Sequence, residues 1–385
     1  LAPATISIDH PAFLAYIPGA PTKASILFDL AISASSTYAG TWLEGGGAVW
    51  AENQALRWIA DLAGFPEGAG GCFVSGGTNG NLSALVAARH TAAERRGGRP
   101  DRWMIACADS AHSSVASAAN VMDVDVLRVE TDEDDRLTGS ALRDSIDGEA
   151  AERLFAIVGS AGSTNAGVVD DLSGIADVCA DLGVWLHVDG AYGGAALAAP
   201  SVRPLFDGIE RADSFIVDPH KWLFAPFDAC ALLYRDPALA RAAHTQHAAY
   251  LESLNLRGEW NPSDYAHHLT RRARGLPLWF SLATSGTDAY REAVESVLAI
   301  AREAAEEIRN TPGLELVMDP DLTVLLFRRD GWSADDYEEW WRKLLDDQIA
   351  FVQPTTWRGQ KLARLCFVNP RTTIDHVRTI LATMR

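Results

Sequence analysis

The sequence predicts an α/β protein: a mostly parallel sheet held between helices, followed by a smaller C-terminal α+β domain. Three observations predict it. Between residues 52 and 235, seven short apolar runs alternate with helix-length segments, the pattern of strand–helix–strand crossovers. The runs are apolar almost throughout, as strands covered on both faces are. Beyond residue 286 the order changes to a long helix, two strands, a helix, a strand and a closing helix.

The seven runs are GCFV (71–74), WMIAC (103–107), DVLRV (125–129), LFAIVG (154–159), VWLHVD (184–189), SFIV (214–217) and ACALLY (229–234). Helical patterns cover 78–96, 137–150 and 172–182 between them. Ligands of such sheets sit at the carboxyl ends of the strands. The smaller unit reads as a helix over 286–310, strands at 315–318 and 323–327, a helix over 333–348, a strand at 361–368 and a helix from about 372. The expected organisation is an N-terminal arm (1–40), a large domain (41–285) and a small domain (286–385). The arm lacks a clear core pattern and is expected to pack on another subunit. Residues 246–270 are polar and rich in His, Asn and Pro, and a long loop inside a compact domain commonly serves as a lid.

Composition narrows the function classes. Among 385 residues, 33 Lys and Arg face 51 Asp and Glu, a net charge of −18. So acidic a chain repels phosphate backbones, and no nucleic-acid partner is expected. The only basic cluster is Arg271, Arg272 and Arg274. No apolar stretch reaches the roughly 18 residues of a membrane span. The start, LAPATISIDHP, has no signal-peptide pattern, so the expected location is cytoplasmic. Five cysteines stand at 72, 107, 179, 230 and 366 without a C-x-x-C pair. That pattern fits free thiols in a reducing compartment and no metal site.

Five segments carry candidate chemistry. In DPHKWLF (218–224), Lys221 follows the strand SFIV between His220 and Trp222. A lone lysine there is ordinarily a surface cation. Bulky neighbours would desolvate it, lower its pKa and free the amine as a nucleophile. In HVDGAYGG (187–194), Asp189 ends a strand, where a buried carboxylate needs a cationic partner. Helix capping or a metal are the plainer roles for it. VSGGTNGN (74–81) places glycines and a hydroxyl before a helix, an anion site if the helix N-terminus is open. It matches neither G-x-G-x-x-G nor a P-loop. His112, in a strand–helix loop, could stack on a flat ring, and Thr164, after LFAIVG, could touch the same ring. Each is bland alone. In order they supply partners for a phosphate, a ring nitrogen and an aldehyde, three handles on one molecule, pyridoxal 5'-phosphate.

The chain resembles the group II pyridoxal-phosphate-dependent amino-acid decarboxylases, which act on aromatic amino acids, histidine, glutamate and diaminobutyrate. The matching pieces are HPAFLAYIP, SGGTNGNLSALVAAR, HSSV, HVDGAYGG, DPHKW, RRARGLPLWFSL and CFVNPRTT. The resemblance implies fold type I of the pyridoxal enzymes and a homodimer with the active site at the subunit interface. It implies that Lys221 holds the cofactor covalently, Asp189 pairs with the pyridine nitrogen, His112 stacks on the ring and Ala191 packs on the other face. Gly77, Thr78 and the Asp218/His220 turn would hold the phosphate, with Thr164 near the ring oxygen or the aspartate. Tyr265, in the loop before RRAR, resembles the tyrosine that protonates the product carbanion, with His112 as the alternative acid. No metal takes part.

The expected reaction is decarboxylation of an L-amino acid to its amine and CO₂. Trp42, Phe13, Tyr16 and Tyr38 supply aromatic surface and favour an aromatic substrate, although core packing accounts for aromatics equally well. Acidic or diamino substrates are the alternative, and aldehyde formation is a further one that Tyr265 speaks against. The segment LEGGGA (43–48) departs from the family's serine–proline turn at the substrate pocket, which weakens any inference of substrate from membership. An interaction-only relative is disfavoured, because Lys221, Asp189 and His112 are all present.

Overall fold

The computed structural model describes residues 4–246 and 258–384. Seven strands build the main sheet: β1 (Gly70–Val74), β2 (Met104–Ala108), β3 (Asp125–Val129), β4 (Leu154–Ser160), β5 (Trp185–Asp189), β6 (Ser214–Val217) and β7 (Cys230–Tyr234). Their order is β1-β7-β6-β5-β4-β2-β3. Strands β6, β5, β4, β2 and β3 pair in parallel, and β7 runs against both of its neighbours. All seven expected strands form: six are short β-rich runs buried almost throughout, and the seventh, β3, is a partly exposed edge strand. Successive side chains alternate between those faces: Cys72 and Val74 enter one core, Phe73 the other.

Helices α1 (Lys23–Ser35) and α2 (Trp42–Leu62) precede the sheet. The crossovers carry α3 (Gly77–Arg96), α4 (Ser113–Met122), α5 (Gly139–Ser145), α6 (Gly148–Arg153), α7 (Leu172–Leu182) and the single turn α8 (Pro219–Trp222). Helix α7 matches its expected range. The helix expected over 137–150 is two, because Ile146 takes an extended conformation and the Asp147 side chain caps a new start at Ala150 N. Helix α2 was not legible: Gly45 is non-helical within it, and burial of Val49, Leu56 and Ile59 holds the helix despite three consecutive glycines.

After α9 (Pro237–His244) and α10 (Leu276–Ser285), the long α11 (Thr287–Asn310) leads to the second sheet. That sheet contains β8 (Leu314–Leu316), β9 (Val324–Arg329), β10 (Thr355–Trp357) and β11 (Gln360–Cys366), all antiparallel, in the order β10-β11-β9-β8. Helices α12 (Ala334–Asp346) and α13 (Ile374–Leu381) flank it. The segment around Leu14 is tied to the C-terminal part of the chain: Leu14 N donates to Phe351 O, and Cys366 N donates to Leu14 O. Helix α1 does leave Ile26, Leu27 and Leu30 exposed. All five cysteines are free and buried, and among the described residues no helix is long and apolar enough to cross a membrane.

The apparent basic cluster is neutralised residue by residue. Arg271 pairs with Glu52, Arg272 with Asp29 and Arg274 with Asp228. The first pair is fully buried and bidentate, at 2.7 and 2.8 Å, and Arg271 also donates to the carbonyls of Ala39 and Phe73. It ties α2 to β1 and the segment before α10. Removing one partner leaves an uncompensated buried charge, so Arg271→Ala is expected to destabilise the fold by about 3–5 kcal/mol, measured by equilibrium denaturation.

Candidate active site

A cavity of about 260 Å³ opens at the carboxyl ends of the central strands. Gly77, Thr78, His112, Thr164, Asp189, Ala191, Asp218, His220 and Lys221 all line it. These nine residues, spread over more than a hundred positions, meet because each follows a sheet strand at the same edge.

The strand β5 delivers Asp189, which is only 8 % exposed. Its Oδ1 accepts from Ala191 N at 3.1 Å and its Oδ2 from Asn81 Nδ2 at 2.8 Å. Two neutral donors satisfy part of the carboxylate and leave room for a further partner, as a protonated ring nitrogen is. His112 is the N-cap of α4: its Nδ1 accepts from Ser114 N at 3.2 Å. Helix α3 begins at the cavity with Gly76 as its N-cap and no side-chain cap. Its first amides therefore lack the usual acceptor, which suits a phosphate. A Cβ on Gly77 would stand 3.1 Å from Ala191 Cβ and 3.3 Å from Asp218 Oδ2, so a glycine permits the close passage there.

Lys221 differs from expectation in its electrostatics. Burial works against its charged form, but the carboxylates of Asp218 and then Asp189 outweigh burial and raise its pKa above the ordinary lysine value. Its Nζ lies 2.9 Å from Asp218 Oδ2. The expected aromatic frame is absent: Trp222 is fully buried and stacks on Tyr192 at 5.6 Å. The Asp218 carboxylate can only accept and already faces Lys221, and among the described residues its buried Oδ1 has no hydrogen-bond partner. His220 is held at the backbone of Ala229, with its ring 4.8 Å from that of Phe227, which also lines the cavity.

Five expected site residues lie outside the lining of this cavity. Tyr265 is 3 % exposed, stacked on Trp260 at 4.3 Å, and its carbonyl accepts from Tyr234 Oη. It belongs to the core beside α3, because residues 261–266 are packed down rather than looped out. Burial raises its phenol pKa to about 12. The rest of the expected lid, 247–257, is outside the described residues. Tyr265→Phe is therefore expected to leave the amine rate and the amine-to-aldehyde ratio unchanged, as product analysis will show. Phe13 packs edge-on against Phe351. Tyr16 is exposed, with its carbonyl bound by Arg364, which also holds Thr164 O. Trp42 opens α2, its backbone N donating to Asn261 Oδ1, and the LEGGGA segment forms the first turns of the same helix. Tyr38 donates to Leu269 O.

Sequence reading missed Asn81, Ser114 and His187. A signal existed: His187 is two residues before Asp189 and so shares its strand face, and Asn81 is a polar position on a helix otherwise buried there.

Together the sheet, the open helix start, the paired aspartate, the histidine and the lysine fit pyridoxal phosphate and define a fold type I pyridoxal enzyme. The profile of the pyridoxal-dependent decarboxylase conserved domain matches residues 1–330. An aromatic-L-amino-acid decarboxylase of Bacillus atrophaeus is 32% identical over 97% of this chain and 80% of its own length. An L-2,4-diaminobutyrate decarboxylase of Rhizobium meliloti is 31% identical over 97% of this chain and 77% of its own. The crystal structure of Oryza sativa TDC with PLP and tryptamine superposes with a TM-score of 0.93 at 27% identity, covering 100% of this chain and 85% of that one. The chain belongs to the pyridoxal-dependent decarboxylase family: it is a carboxy-lyase that uses pyridoxal phosphate to decarboxylate an amino acid.

Proposed function

We propose that the substrate is an aromatic L-amino acid and the product its amine. The carrying observation is the composition of the cavity wall. Among the described residues that line it, Lys221 is the only lysine or arginine, so a substrate with a side-chain carboxylate finds no second cation. Phe227 brings an exposed aromatic ring to the wall, and the relatives from Bacillus atrophaeus and Oryza sativa support the reading. A diamino substrate is the second reading, favoured by Asp228 at the wall and by the Rhizobium relative. Asp228 is already paired with Arg274 at 3.0 Å, which ranks it below the first. A panel of tryptophan, tyrosine, dihydroxyphenylalanine, histidine, glutamate and 2,4-diaminobutyrate decides it by CO₂ release. The expected result is turnover of an aromatic member above all others; glutamate as best substrate overturns the reading.

Pyridoxal phosphate supplies the electron sink for the pair released when the carboxylate leaves. In this reading Lys221 holds its aldehyde carbon, and Asp218 is the nearest base to take the amine proton. The open start of α3 holds the phosphate, and Asp189 keeps the ring nitrogen protonated. His112, its Nδ1 engaged with Ser114, has Nε2 free to hold a proton at the cavity, and with Tyr265 buried elsewhere it is the acid we assign to the α-carbon.

The homodimer is part of the same proposal. Ile26, Leu27 and Leu30 of α1 and Leu43 and Trp50 of α2 are exposed, an apolar face that a second copy would cover. Trp42 lies on that part of α2, so a substrate would meet it across the interface. Five free buried thiols support a cytoplasmic location.

A further inference from the structure

We propose that Asn81 is a positioning residue that fixes, through one amide, both the carboxylate of Asp189 and the tautomer of His112. This rests on the assignment of Asp189 and His112 above. Asn81 is 1 % exposed and stands between them. Its Nδ2 donates to Asp189 Oδ2 and to Ser114 Oγ, both at 2.8 Å. Its Oδ1 lies 2.8 Å from His187 Nε2. His187 Nδ1 lies 2.8 Å from Ser214 Oγ, which accepts from Trp185 Nε1 at 2.8 Å.

The directions follow from the carboxylate end. An ionised carboxylate can only accept, so Asn81 Nδ2 faces Asp189 and Asn81 Oδ1 is left to accept from His187 Nε2. Burial pushes the His187 pKa down to about 4, so the ring is neutral and its single proton is on Nε2. His187 Nδ1 therefore accepts, and the Ser214 hydroxyl donates to it while accepting from Trp185 Nε1, which can only donate. The second Nδ2 proton occupies Ser114 Oγ, leaving the Ser114 hydroxyl to donate to His112 Nδ1 at 2.8 Å. The Ser114 amide donates to the same nitrogen. His112 Nδ1 is thus an acceptor twice over, and the neutral ring carries its proton on Nε2, the nitrogen left for the cavity. One chain of donors, fixed deep in the β5–β6 region, orients the carboxylate facing the ring nitrogen and places the proton of the group facing the substrate.

Three variants and one direct measurement test this. Asn81→Asp puts a second acceptor against Asp189; Asn81→Leu removes the amide; Ser214→Ala cuts the chain two side chains back from Asn81. In holoenzyme, each is expected to shift the pH midpoint of the bound cofactor's visible band by about one unit, a tenfold change in proton affinity. In both Asn81 variants kcat is expected to fall on the order of 100-fold while KM changes little. The direct measurement uses unmodified holoenzyme labelled with ¹⁵N-histidine, with His112→Gln to assign the signal: His112 is expected to show a pyrrole-type Nε2 and a pyridine-type Nδ1. The opposite tautomer, or a visible band whose midpoint stays put in all three variants, overturns the proposal. The absence of any cofactor band in unmodified enzyme would instead overturn the reading of the site on which it rests.

Discussion

Lys221→Ala is expected to abolish turnover, a loss on the order of 10⁶-fold, together with the visible absorbance of covalently held cofactor. No other lysine or arginine of the described wall can replace its amine. The variant also strips Asp218, only 2 % exposed, of the cation 2.9 Å from its Oδ2. Some stability is therefore lost with the chemistry, about 1–3 kcal/mol for a buried group left unpaired. The double variant with Asp218→Asn separates the two effects: it is expected to regain the stability and none of the activity. Decarboxylation by the single variant at more than a hundredth of the unmodified rate, read by CO₂ release, would show that the covalent link is elsewhere.

Asp189→Asn is expected to cost about 10³-fold in kcat or more, because an amide cannot hold a positive ring nitrogen as a carboxylate does. The shape is nearly conserved, so the cofactor-free unfolding midpoint is expected to stay within about 5 °C. One orientation problem arises locally. Asp189 accepts from both Ala191 N and Asn81 Nδ2, and an asparagine must set its own NH₂ against one of them. The bound cofactor's spectrum should then correspond to an unprotonated ring nitrogen across the accessible pH range. A loss below tenfold would assign the carboxylate another role.

The strands and the residues that line the cavity were readable because they are locally encoded. A run such as LFAIVG can satisfy its side chains only in a sheet covered on both faces, and Lys221, Asp189, His112 and Thr164 each follow such a run. Helix α2 and the split at Ile146 were hidden because glycines and a capping Asp147 act against or within a helical pattern that burial then overrides. Tyr265 was misplaced for a related reason. A polar stretch reads as a loop, but whether it stands out or packs down depends on Trp260 and Tyr234, which are near it only in the fold.

By itself the sequence determined the α/β class, the mostly parallel sheet and the cofactor, and the nine residues named from its motifs and its family resemblance line one cavity, because the ends of parallel strands meet at one edge of the sheet. The tertiary structure alone decided how those residues are charged and wired. It set Asp218 against Lys221 and raised the amine's pKa where desolvation alone would have lowered it. It also joined Asn81, Ser114 and His187 behind Asp189 and His112. Spacing along a chain carries no information on which donor faces which acceptor across a buried gap of 2.8 Å; only packing three elements against one another fixes it.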